Sequence, residues 1–247
     1  MRVSIITVCF NSAATIADTL RSVAEQTYPD VEHVLVDGGS RDDTVKLANA
    51  LGRSGKVIIS EPDKGIYDAM NKGLQLATGD VIGFLNADDM YAANDVLTRV
   101  SMLMQQGGLD ALYGDVEFVR PSDLNRPVRR YRSDRFRPDR IAWGWMPAHP
   151  ALFLKRQVFE RYGGFRSDYR IAGDFELVAR IFHSGELSYR HIPEVIVRMR
   201  TGGVSTRGLR STLLLNREVL RACKENGIAS NWLKLLSKYL VKLKEFY

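Results

Sequence analysis

Within the first hundred residues, short β-rich runs alternate with helical patterns, and this alternation constrains the fold more than any other feature of the chain. It specifies parallel strands joined by crossover helices. Apolar, largely β-branched runs at 3–9, 33–37, 56–60 and 81–85 predict four strands. Between them, Ile16, Leu20 and Val23 predict one helix, Val45 with Ala48 a second, and Tyr67, Met70, Leu74 and Ala77 a third. Past about residue 110 the alternation gives way to mixed strands, an Arg- and Pro-rich stretch, and a helix over Phe175 to His183. Helices over 207–226 and over Trp232 to Tyr247 close the chain. The expected class is α/β: a Rossmann-like mixed sheet with crossover helices, plus a C-terminal helical extension. A chain of 247 residues is long enough for one sizeable core with such an appendage.

Cys9 and Cys223 are too few and too plainly placed for a disulfide framework or a zinc site, which favours a reducing, cytoplasmic setting. The N-terminal run stops at Asn11, too short for the apolar region of a signal peptide. No run approaches the roughly 20 apolar residues that cross a bilayer. The net charge of +6 is carried by the tail: residues 207–247 hold 9 Lys and Arg against 3 Asp and Glu, while residues 1–206 hold 26 of each. Between Arg120 and Arg140, eight arginines face Asp123, Asp134 and Asp139, a basic stretch suited to phosphate.

In an open parallel sheet the ligand crevice lies beyond the carboxyl ends of the strands, so the polar residues there are the first candidates. They are Phe10-Asn11 after the first strand, Asp37-Gly38-Gly39-Ser40 after the second, Asp63-Lys64-Gly65 after the third and Asn86-Ala87-Asp88-Asp89 after the fourth. Asp88 and Asp89, adjacent like charges at a buried sheet edge, call for a cation. Oxygen ligands without His or Cys suit Mg2+ or Mn2+. The bland reading is that Asp89 caps the next helix and Asp88 is solvated. Asp37 could accept hydrogen bonds from a base or ribose, or simply shape a turn, and Phe10 could stack on a base or belong to the core. The full G-x-G-x-x-G pattern of dinucleotide dehydrogenases is absent. Asp174 stands at the start of a helical pattern, where it is either an N-cap or a general base.

The ordered series Ser4-Ile5-Ile6-Thr7-Val8, Val36-Asp37-Gly38-Gly39-Ser40, Asp63 to Gly73, Leu85-Asn86-Ala87-Asp88-Asp89, Gly163-Gly164-Phe165, Asp174-Phe175-Glu176-Leu177 and Gly202-Gly203-Val204-Ser205 resembles the family 2 glycosyltransferases of GT-A fold, in particular their bacterial polysaccharide-building branch. The resemblance covers roughly residues 1–205. It implies a catalytic domain over 1–206, with a nucleotide-sugar half at 1–110 and an acceptor half at 111–206, followed by basic helices at 207–247. It implies that Thr7, Phe10, Asn11, Asp37, Lys64 and Asp88 bind the nucleotide-sugar, that Asp88 and Asp89 hold Mg2+ or Mn2+, and that Asp174 is the catalytic base of an inverting transfer. The implied partners are a UDP-sugar donor and a lipid-linked or glycan acceptor in exopolysaccharide, capsule or O-antigen synthesis. Asn86 departs from the family pattern, where many relatives carry a further Asp, and the late glycine loop lacks a nearby His ligand.

Two other enzyme-related readings stay open at this point: a sugar nucleotidyltransferase, which would want a basic, glycine-rich loop after the first strand, and an inactive transferase-like partner subunit. Nothing resembles a nucleic-acid-binding module, so no nucleic-acid partner is expected; an oligomer is compatible with the sequence. In the last helix Trp232, Leu233, Leu236, Leu240 and Leu243 form an apolar stripe, with Lys234, Lys238 and Lys242 on another face. This pattern predicts an interfacial helix and a cytoplasmic protein held peripherally on the inner membrane face, or else a stripe that docks on protein.

Overall fold

The computed structural model describes residues 1–202 and 208–242, with the side chains of Leu209 and of 239–242 left out. β1 (Val3–Cys9), β2 (Val31–Asp37), β3 (Val57–Ser60) and β4 (Val81–Phe84) alternate with α1 (Ile16–Ala24), α2 (Thr44–Ala50) and α3 (Ile66–Leu76). Each lies within two residues of the run that predicts it. β5 (Asp89–Tyr91), α4 (Val96–Gly107), β6 (Ala111–Arg120), β7 (Asp123–Tyr131), β8 (Leu152–Lys155), α5 (Arg156–Tyr162), α6 (Gly173–His183), β9 (Tyr189–Arg200), α7 (Gly208–Glu225) and α8 (Trp232–Lys242) follow.

The strands form one sheet in the order β3-β2-β1-β4-β8-β6-β9-β5, with β7 paired to β6. β1 to β4 are mutually parallel, whereas β8 runs antiparallel to both β4 and β6, so the sheet is mixed as expected. Every residue of β1 is buried. Its alternate side chains enter different cores: Ile5 packs with α4 residues such as Val100 and Met104, and Ile6 with Tyr67 and Met70 of α3 and Phe175 of α6. That two-sided burial is why a central parallel strand reads as an unbroken apolar run.

The arginine-rich stretch forms β7 and two 3-10 turns, Ser133–Arg135 and Pro138–Trp143. Several of its arginines are already engaged within the fold, while Arg120, Arg126 and Arg140 are exposed. Arg130 is committed to buried Asp115 at 2.8 Å, Arg129 lies over the Phe118 ring, and Arg132 and Arg137 pair with Asp134 and Asp139. Removing Arg130 from Asp115 would leave a buried carboxylate short of a counter-charge, so this arginine is structural.

The C-terminal helices contribute to the main core: Val219, Ala222 and Cys223 of α7 and Leu235 of α8 are buried in the cluster that holds Phe175 and Phe182 of α6. α8 rests on the Pro138–Trp143 turn, and two of its lysines turn inward, contrary to the expected lysine face. Lys238 is buried beside Gly144, and Lys234 sits over the Trp143 ring and donates to the Ala229 carbonyl. The helix can dock this way because lysine stems cover apolar surface, and the Lys234 ammonium finds a carbonyl and an aromatic partner. The outward side is apolar, with Leu233 81% exposed and Leu236 and Trp232 also open. Leu243 and Phe246 lie outside the described residues, as do the side chains of Tyr239, Leu240 and Lys242. Among the described residues, no helix is long and apolar enough to cross a membrane.

Candidate active site

Because β3, β2, β1 and β4 are adjacent and parallel, their carboxyl ends share one rim. Phe10 stands on it 60% exposed. Asn11 takes a left-handed φ of 48°, which asparagine tolerates better than most residues. It staples the first loop to the second, donating from its N–H to Ser40 Oγ at 2.7 Å and accepting the Arg41 N–H on its side-chain oxygen at 2.9 Å.

Asp37 is buried at the end of β2 and organises the glycine turn. Its Oδ2 accepts the N–H groups of Gly39 (3.1 Å) and Ser40 (2.9 Å) and the Ser60 hydroxyl (2.7 Å), while its Oδ1 accepts the Ser40 hydroxyl. Burial alone would raise this carboxyl; the hydrogen bonds from Ser40, Ser60 and Gly39 outweigh it and hold the group below the usual carboxylate range. Gly38 is needed for close approach, since a Cβ there would collide with Asp63 Oδ2 and stand 3.5 Å from the Phe10 ring. Asp63 Oδ1 in turn accepts the Gly65 N–H at 2.8 Å, leaving Lys64 exposed on the same rim.

Thr7 does not reach the rim. It is fully buried within β1 and its hydroxyl is engaged with His33 Nε2 at 3.0 Å, so the expected contact with a nucleotide base has no surface to use. Its place, two residues before the strand end, puts it under the crevice.

After β4 the acidic turn leaves Asp88 half-buried and Asp89 only 1% exposed, as the first residue of β5. Asp89 therefore caps no helix. Burial first, then the Asp88 charge, push its carboxyl well above the ordinary range, with Asn86 and Arg200 opposing. Arg200 braces the turn by donating to the Asp88 carbonyl at 2.7 Å while pairing with Asp18. Asn86 donates to Asp89 at 3.3 Å, and its own buried amide oxygen has no partner among the described residues. Asp88 and Asp89 offer the hard carboxylate oxygens that suit Mg2+ or Mn2+, but with Asp89 buried they are an incomplete ligand set. Among the described residues no three His, Cys, Asp or Glu side chains gather into a metal site.

Asp174 lies in the first turn of α6, which starts at Gly173 with Ala172 as its cap, so the N-cap reading of Asp174 is not realised. Its Oδ1 accepts the Phe175 N–H at 2.8 Å and is 3.4 Å from the Tyr67 hydroxyl. Burial raises this carboxyl, against the pull of His149, the Phe175 N–H and Tyr67. Tyr67 lies three residues beyond Lys64 of the rim, so Asp174 touches the helix that starts there. α6 fits beneath Tyr67 because residue 173 is glycine: a Cβ there would meet the Tyr67 ring at 2.7 Å. Asn71 of the same motif clamps Phe165, accepting its N–H and donating to its carbonyl, each at 2.8 Å. The Asp63–Gly73 motif therefore ties α3 to the Phe165 loop and to the start of α6.

His149 is the residue that sequence reasoning missed. It stacks on Phe84 at 5.5 Å, meets Phe165 edge-on at 5.7 Å, and interacts electrostatically with Asp174. Burial lowers its pKa, and both buried ring nitrogens lack a partner among the described residues. The only signal was a histidine set between Pro147 and Pro150, away from any predicted strand end.

A fold with this sheet order and rim has known counterparts. The S. aureus TarS 1-349 structure in complex with UDP-GlcNAc superposes with a TM-score of 0.68 at 16% identity, covering 90% of this chain and 66% of that one. The mannosyltransferase PcManGT from Pyrobaculum calidifontis, in complex with GDP-Man and Mn2+, gives 0.63 at 24% identity, covering 89% and 61%. This chain thus spans less than two thirds of those structures, and the likeness establishes the GT-A-type fold. In sequence, a Mycobacterium bovis protein named PGL/p-HBAD biosynthesis glycosyltransferase is 32% identical over 251 residues, covering 96% of this chain and 93% of its own. The glycosyltransferase AglE of Haloferax volcanii is 28% identical over 199 residues, covering 76% and 64%. The family described as glycosyl transferase family 2 matches residues 4–163, from the start of β1 to just past α5. With that span matched and a relative this similar over nearly its whole length, the chain belongs to glycosyl transferase family 2.

Proposed function

We propose that the chain transfers a glycosyl group, with inversion, from a nucleoside-diphosphate sugar to an acceptor hydroxyl, and that Asp174 is the base. The observation that carries this is the setting of Asp174. One carboxylate oxygen is anchored by Phe175 and Tyr67, burial raises the carboxyl toward the range of a working base, and Tyr67 follows the rim residue Lys64 by three positions. As the acceptor oxygen bonds to the anomeric carbon, its proton passes to Asp174 and the bond to the nucleoside diphosphate breaks on the opposite face. A single displacement needs no nucleophilic carboxylate of the retaining type.

Phe10 offers an exposed ring for the base, and the Asp37-held turn shapes the wall of that pocket. Lys64 brings positive charge for the diphosphate. Asp88 and Asp89 would hold Mg2+ or Mn2+, which would supply positive charge to the departing diphosphate when bound. A site with so few protein ligands would need donor phosphates to complete it. The nucleotide-sugars named in the two structural counterparts support this donor class, and a UDP-sugar is the favoured donor. A lipid-linked acceptor in a cell-envelope glycan pathway, met on the inner membrane face, accords with the outward apolar side of α8 and the neighbouring exposed Trp143.

Thermal denaturation with UDP and GDP tests the reading. At about 100 times Kd, the nucleotide that binds stabilises by about 2.7 kcal/mol, which is roughly 5–10 °C for a chain of this size. The shift should need Mg2+ or Mn2+ and vanish in Asp88→Asn. Absence of any nucleotide shift would refute the donor assignment, and an equal shift in chelator would refute the metal.

A further inference from the structure

The approach to Asp174 is the loop 166–172, and side chains of α7 grip it. Glu218, buried at 7% exposure, accepts three consecutive backbone N–H groups: Arg170 on Oε1, then Ile171 and Ala172 on Oε2, each at 2.9 Å. A carboxylate holding three N–H donors away from water makes strong, charge-assisted bonds. From the opposite side the Tyr67 hydroxyl donates to the Ile171 carbonyl at 2.6 Å. Residue 171 is thus held at both its N–H and its C=O, three positions before Asp174.

We propose that Glu218 is a positioning residue for glycosyl transfer: through the backbone of 170–172 it sets where Asp174 stands relative to the acceptor hydroxyl. The inference rests on Asp174 being the base. Its weight comes from where the grip is applied. Ala172 is the cap of α6, so any shift of the loop moves the first turn, and with it Asp174, as one piece. α7 has other anchors, since Val219, Ala222 and Cys223 are buried, Arg221 pairs with Asp168, and the Tyr169 hydroxyl donates to Glu225 at 2.6 Å. Loss of the Glu218 carboxylate therefore loosens the loop while the helix stays docked. Glu218 lies beyond the family-matched residues 4–163, so a helix outside that core takes part in setting up the chemistry.

The test compares the full-length wild type, Glu218→Gln, Asp174→Asn and the double variant. Turnover is read as UDP release from a UDP-sugar with water as acceptor, alongside amide hydrogen exchange at 170–172. Glutamine keeps an oxygen for part of the N–H set and turns an amide donor toward the rest. Glu218→Gln should speed exchange at 170–172 and lower kcat by about 10-fold to 100-fold, the effect of displacing a reacting group by about 1 Å. The UDP-induced thermal shift should be unchanged. In the Asp174→Asn background the Glu218 substitution should cause no further loss, because no base remains to be misplaced. Wild-type kcat in Glu218→Gln, or the same fold-loss in both backgrounds, would overturn the positioning role while leaving the base intact. Near-wild-type turnover of Asp174→Asn alone would instead overturn the base. If Glu218→Gln fails to fold, Glu218→Asp, still an acceptor but shorter by one methylene, gives the same comparison.

Discussion

Replacing Asp174 by Asn separates its two contributions, because they have opposite signs. The asparagine oxygen can keep the bonds that Oδ1 now accepts, from Phe175 N–H at 2.8 Å and from Tyr67, so the first turn of α6 retains its anchors. The lost feature is the basic carboxylate. Turnover should fall by at least about 100-fold, the lower bound for a positioned general base and equivalent to about 2.7 kcal/mol of barrier. Stability should move the other way. Burial raises the folded-state pKa of Asp174, so the native state binds its proton more tightly than the unfolded chain, and ionisation above that pKa costs stability. The neutral amide avoids that cost. The variant should melt at the same or a higher temperature at pH 8, and the advantage should disappear as pH falls below the unfolded carboxyl value of about 3.9. UDP release with saturating UDP-sugar, with and without a hydroxyl acceptor, measures the first effect; melting from pH 3 to 8 measures the second. Near-wild-type turnover would show that the base lies elsewhere. A clear loss of stability at pH 8 would show that the charge itself holds the fold.

Asp37→Asn turns amide donors toward the N–H groups of Gly39 and Ser40, and should cost about 1–3 kcal/mol in urea denaturation together with the UDP-induced thermal shift. The Asp37 pKa is lowered in the fold, so its contribution is complete above the unfolded value of about 3.9 and fades as pH falls through the folded one; a difference between wild type and variant that does not shrink in acid would contradict this. Gly173→Ala forces a Cβ against the Tyr67 ring and should cost about 1–3 kcal/mol by overpacking, with reduced UDP release; an unchanged melting temperature would contradict the close approach. Wild-type protein should co-sediment with anionic vesicles, and the combined Leu233→Ser, Leu236→Ser variant should not; equal sedimentation of the two removes α8 as the contact.

What the sequence by itself determined is the first half of the sheet and the composition of its rim. β1 and β4 are buried on both faces and β2 nearly so, which makes their runs largely apolar, β3 flanks them half-buried at the sheet edge, and parallel neighbours must end on the same edge. That geometry alone brings Phe10, Asn11, Asp37, Lys64 and Asp88 together, whichever residues cover the faces. The motif from Asp63 to Gly73 was equally visible, but its physical task was not. Tyr67 and Asn71 act on Asp174 and Phe165, about a hundred positions away, and helical spacing gives a face without naming what the face meets. Only the tertiary structure decided which polar groups are already engaged. Thr7 and Arg130 look available in sequence, yet the first is sealed beneath the rim against His33 and the second neutralises Asp115. His149 and Glu218 give no local sign of their placement, because a side chain's partner is set by how distant elements pack. Likewise the lysine spacing of α8 forecast an outward charged face. The helix instead turns Lys234 and Lys238 toward the Pro138–Trp143 turn, since the pattern fixes which residues share a side while docking chooses the side that is buried.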